Sequence, residues 1–150
     1  PNVAATVGQS MTALTAARAT EDQVDAVRDL MNAVGRTILI DEDYFPIFQA
    51  LASCSPAWYF QIIDTFARAG LKYGLSKDSA VEIAAQAMAG AATLLLAERE
   101  AGTIPAQLID RVTSPGGTTI AGLLAAEEGG LSNALVGAVD ASIHADSHLG

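Results

Sequence analysis

The chain has 150 residues, enough for one hydrophobic core with a small appendage. Its net charge of −9 and pI near 4.4 argue against nucleic acid and against an anionic membrane surface, both of which need a basic face. Hydrophobic residues make up 51% of it but aromatics only 5%, a mixture rich in alanine and leucine that favours packed helices over a β-sandwich.

The single cysteine, Cys54, excludes an internal disulfide, no Cys/His spacing suggests zinc, and a reducing cytoplasmic setting fits. The N-terminus lacks the basic and apolar pattern of a signal peptide. Ala80 to Ala97 is the most apolar stretch, but Glu82, Gln86 and Thr93 interrupt it, so it reads as a buried helix rather than a membrane span.

In chain order, Pro1 to Ser10 has no helical period and reads as extended or loop, and Met11 to Ala17 as a short strand. Thr20 caps a helix from Glu21 to about Ala33, with Val24, Val27, Leu30 and Met31 on one face and Gly35 as its stop. Thr37 to Ile40 is short and β-branched, a strand. Residues 1–40 therefore read as the trailing edge of a nucleotide-binding α/β domain, and 41–150 as helices only.

The helices expected are Asp43 to Ala52, Pro56 to Tyr73 (ended by Gly74), Ser76 to Glu100, Pro105 to Val112, Thr118 to Glu128, and Ser132 to Ser147. The helix from Ser76 would be roughly 37 Å long. Small residues such as Ala80, Ala84, Ala87, Gly90 and Ala91 cover it on every side. A helix apolar all round must be covered all round, and one chain of this size has too few neighbours to do it. A homodimer interlocked about this helix is the expectation, with the central helix of a monomeric bundle as the alternative.

Chemistry concentrates in Ser114-Pro115-Gly116-Gly117-Thr118-Thr119, a tight turn feeding a helix N-terminus. Such a corner offers backbone N–H groups and the positive end of a helix dipole, a suitable place for a small carboxylate. Read from physics alone, an ordinary glycine turn before a helix has the same features.

The run Thr113 to Gly122, with Glu127-Glu128-Gly129-Gly130-Leu131, resembles the signature of pyrroline-5-carboxylate reductases. So do Pro1-Asn2, Gly8 and Met11 to Leu14 at the front, and Ala69-Gly70-Leu71 with Gly74-Leu75 in the middle. The resemblance implies a mainly α fold: a helical bundle dimerisation domain preceded by a strand-helix-strand remnant of a Rossmann domain.

It further implies an oxidoreductase of proline biosynthesis that reduces pyrroline-5-carboxylate to L-proline with NADPH or NADH, working as a homodimer or a larger assembly of dimers. Carried over, amides around Gly116, Gly117 and Thr118 hold the substrate carboxylate. Ser114 shapes the pocket, Pro56 also belongs to the substrate site, Thr119 is the catalytic residue bonded to the ring nitrogen, and Asn2 lies near the nicotinamide end of the cofactor. No glycine-rich nucleotide loop occurs in the 150 residues, so the chain alone is not expected to turn over. The alternative function is a helical homodimerisation module without catalysis.

One departure stands out. The family's Ser-Gly-Ser-Gly-Pro-Ala run corresponds to Ala52-Ser53-Cys54-Ser55-Pro56-Ala57, with serine at both glycine positions. Cys54 reads as a structural thiol, Trp58 and Tyr59 as core or interface anchors, and His144 with His148 as a solvated helix face rather than a metal site.

Overall fold

The computed structural model describes residues 1–16 and 18–148. It forms two compact units, residues 1–59 with 135–150, and residues 60–134.

The first unit begins with a turn of 3-10 helix, Val3–Val7, where a loop was expected. Asn2 caps it, its side chain accepting from the Ala4 N–H; a cap this local leaves no periodic signal. Strand β1 (Ser10–Leu14) and strand β2 (Gly35–Leu39) pair in parallel, Ser10 opposite Gly35 and Leu14 opposite Leu39. Parallel neighbours need a crossover, and helix α1 (Glu21–Asn32) supplies it. Thr20 and Gln23 close a capping box at its start. Ala17, placed by sequence at the end of the first strand, lies outside the described residues.

Gly35 does not stop α1 as expected: Ala33 is the C-cap, and Gly35 opens β2. Its role is close approach, since a Cβ there would stand 2.1 Å from the Ser10 carbonyl oxygen.

Residues 42–72 form one continuous helical path instead of two separated helices. A 3-10 turn (Glu42–Tyr44) leads into α2 (Phe45–Phe48), then a π-helical segment (Gln49–Cys54), then α3 (Ser55–Lys72). The break expected at the serines is absent because Ser55 sits at φ −57° and ψ −29°, and no non-glycine residue among those described has positive φ.

In the second unit, α3 ends in a turn where Leu75 N–H bonds Gly70 O and Gly74 N–H bonds Leu71 O. Ser76 caps α4 (Lys77–Glu98), which tightens into a 3-10 turn, Arg99–Ala101. Gly70 lets α3 and α4 meet, for a Cβ on it would lie 2.8 Å from that of Ala80. Asp64 ties the joint by bonding Arg68 at 2.7 Å and Lys77 at 3.1 Å; those bonds, Lys77's first, hold its carboxyl below the usual range.

Helix α5 (Pro105–Val112), α6 (Thr118–Glu128) and α7 (Leu131–Asp146) complete the chain, with α7 continuing into the first unit. A small parallel sheet followed by helices is the mainly α fold expected.

One chain leaves α4 uncovered, as its small apolar residues on every side led us to expect. Ala80 is its only buried residue among those described. The helix is long and apolar enough to cross a membrane by length and composition, yet only 6% of that stretch is buried. Ile83, Leu94 and Leu96 are exposed.

Candidate functional site

Five of the expected site residues share one corner of the second unit. Helix α5 ends at Val112, Thr113 is extended, and Gly117 N–H closes a turn onto Ser114 O at 2.9 Å. Pro115 and Gly116 form its middle; Gly116 has φ +69°, a conformation that favours glycine. Gly117 leaves room for a neighbour instead. A Cβ there would meet the Ser114 hydroxyl at 2.4 Å, so that hydroxyl is folded over the glycine.

Gly117 is also the N-cap of α6, and it has no side chain to cap with. The first N–H groups of a helix have no partner inside it. Ala121 N–H bonds Gly117 O at 3.3 Å, which leaves the amides of Thr118, Thr119 and Ile120 as the exposed positive end of α6. Ser114, Gly116, Thr118 and Thr119 are exposed and Gly117 is half-buried. Chemically, this corner can accept an anion and offer three hydroxyl-bearing side chains beside it.

The corner's support was not read from sequence. Arg111, in the last turn of α5, pairs with Glu98 at the end of α4, thirteen positions away. The Arg111 guanidinium holds the Glu98 carboxyl below its ordinary range. Nothing in the local pattern of Glu98 or Arg111 marks them as partners.

Asn2 and Pro56 belong to the first unit. The Asn2 backbone N–H donates to Ser10 Oγ at 3.0 Å, and its side-chain Nδ2 donates to Ala52 O at 2.7 Å. Pro56 is half-buried in the first turn of α3. Cys54 is a free, half-exposed thiol. The His144 and His148 rings meet edge to face at 4.4 Å, and no metal-holding cluster occurs among the described residues. Tyr59 is exposed and Trp58 half-buried, so neither is a core anchor within one chain.

Comparison with known proteins gives the family. The family model described as pyrroline-5-carboxylate reductase dimerisation matches residues 42–149. A pyrroline-5-carboxylate reductase of Treponema pallidum is 41% identical over 81% of this chain and 45% of its own length. The structure of a Coxiella burnetii pyrroline-5-carboxylate reductase superposes with a TM-score of 0.92 at 31% identity, over all of this chain and 55% of that one. That of the Plasmodium falciparum enzyme, with NADP bound, gives 0.85 at 25% identity, over all of this chain and 60% of that one. The chain spans about half the length of the curated relatives it matches. With a family match over most of its residues, the chain belongs to the pyrroline-5-carboxylate reductases and carries their dimerisation domain.

Proposed function

We propose that this chain forms the substrate-holding corner and the dimer interface of a cytoplasmic enzyme that reduces pyrroline-5-carboxylate to L-proline. Residues 1–40 are then the trailing edge of its nucleotide-binding domain, and 41–150 its helical part. The observation that carries the reading is the uncapped N-terminus of α6, set behind a glycine turn in a chain of this family.

Of the amides around Gly116, Gly117 and Thr118, that of Gly117 is already bonded to Ser114 O, so the free amides of Thr118 and Thr119 face the substrate carboxylate, where the α6 dipole favours negative charge. The Ser114 hydroxyl, lying over Gly117, limits how the anion enters. Thr119 holds the ring nitrogen through its hydroxyl. A threonine hydroxyl is too weak an acid to protonate it at neutral pH, so Thr119 orients the imine while the proton is already on nitrogen or comes from water. A bound NADPH or NADH supplies hydride to the imine carbon. Asn2 fits a place beside that cofactor through its second Nδ2 hydrogen, since the first bonds Ala52 O and Oδ1 accepts from Ala4. The sequence holds no glycine-rich nucleotide loop, so this chain by itself grips substrate without turning it over.

The bare surface of α4 supports the homodimer. An apolar cleft of about 410 Å³ runs along α3 and α4, lined by Phe66, Leu75, Ile83, Ala87, Met88 and Ala91 among others. A second copy of the same alanine-rich surface covers such a cleft at close backbone distance, and burying it stabilises by roughly 25 cal/mol per Å².

The test of the corner is Thr119→Ala in the complete enzyme. It lowers kcat/KM about tenfold to a thousandfold, as loss of a positioned hydrogen bond does. An unchanged kcat/KM removes Thr119 from the reaction.

A further inference from the structure

Pro56 lies inside the continuous helical path of residues 42–72, where proline withholds a backbone N–H. The consequences can be followed carbonyl by carbonyl. Ser55 N–H reaches back five residues to Ala50 O, the π-helical spacing. Pro56 comes next and donates to neither Leu51 O nor Ala52 O. Both oxygens nevertheless have donors: Ser55 Oγ bonds Leu51 O at 2.6 Å, and Asn2 Nδ2 bonds Ala52 O at 2.7 Å.

This accounting matters because the inner side of the segment is buried: Ala50 is 1% exposed, Ser55 3% and Ala52 7%, while Leu51 on the outer side is 56% exposed. A buried carbonyl that loses its donor is costly, whereas an exposed one would turn to water. Asn2 is in turn held on two sides, by Ser10 Oγ on its N–H and by the Ala4 N–H on its Oδ1.

We infer that Asn2 and Ser55 are positioning residues that replace the hydrogen bond Pro56 cannot make, and so fix where α3 begins. The serine that departs from the family pattern thus has a definite task, and Asn2 has one besides any contact with a cofactor. The link to turnover rests on the proposed function together with the expectation, from the family resemblance, that Pro56 belongs to the substrate site. The link to structure does not.

Cys54, half-exposed in the π segment and the only cysteine of these 150 residues, reports on this joint. The experiment follows thiol labelling of Cys54, and amide exchange over residues 53–60, in unliganded Asn2→Ala, Ser55→Ala and Ser55→Thr. Loss of either donor speeds labelling about tenfold, and Ser55→Thr, which keeps a hydroxyl, returns it to the original rate. In the complete enzyme, Ser55→Ala lowers kcat/KM for the pyrroline carboxylate severalfold, leaves the KM of the nicotinamide cofactor in place, and is rescued by Ser55→Thr. If Asn2→Ala loses helicity, the Ser55 pair carries the test. Labelling at the original rate in Ser55→Ala, or equally fast in Ser55→Ala and Ser55→Thr, overturns the inference. Faster labelling with unchanged turnover upholds the joint and counts against the functional reading alone.

Discussion

Two proline-marked places in this chain keep opposite hydrogen-bond accounts. At Pro56 every backbone oxygen that the proline leaves without a donor finds one nearby, from Ser55 and from Asn2 fifty positions away. At Pro115 the turn closes on itself, but the amides that follow at the head of α6 are left without a capping side chain. The first is hydrogen-bonded throughout and partly buried; the second is open and exposed. Unsatisfied donors in water are inexpensive, and they are what a ligand can use. On the proposed function, the contrast is that between a structural joint and a binding corner.

The comparison can be broken most sharply at Gly117. Its replacement by alanine puts a Cβ 2.4 Å from the Ser114 hydroxyl, which must swing off the glycine, and 3.0 Å from the Ser114 carbonyl oxygen, which must give by a few tenths of an ångström. In the complete enzyme Gly117→Ala should lower kcat/KM about tenfold, because the hydroxyl that shapes the corner is displaced. Circular dichroism should show the helices intact. Normal kinetics would mean that the corner is only a turn.

A smaller effect is expected where α5 is tied to α4. The Glu98 carboxyl is held below its ordinary range by Arg111, so the pair's contribution is complete above the unfolded-state value. It is lost as pH falls through the lowered folded-state value. Corrected for the intrinsic exchange rate at each pH, opening across Pro105–Val112 should therefore rise in acid by about a few-fold, as befits an exposed pair. The rise should be absent in Arg111→Ala, which already exchanges faster at neutral pH. Identical profiles for the two proteins would show that the pair does not support the corner.

Much of this was legible in the sequence, for local reasons. Pro105 and Val112 bound α5 as expected, and Thr118 and Glu128 bound α6, because proline at a helix start and glycines before and after it act within one turn. Thr20 marked α1 through its own cap. The glycine corner was legible as a candidate anion site, and the family resemblance singled it out. What sequence did not disclose depends on distant partners. Asn2 read as loop and then as a cofactor neighbour, while its bond to Ala52 is a tertiary fact. The π winding at Gln49–Cys54 was hidden because serine and proline suggest a break unless the freed carbonyls are satisfied elsewhere. The alanine pattern of α4 did foretell a helix that one chain leaves uncovered.

That uncovered helix is where the account is most exposed to test. Sedimentation equilibrium of this 15.4 kDa chain at micromolar concentration should give a species of about twice that mass. A single chain that stays monomeric and soluble with α4 bare would contradict the claim that a second copy completes the molecule.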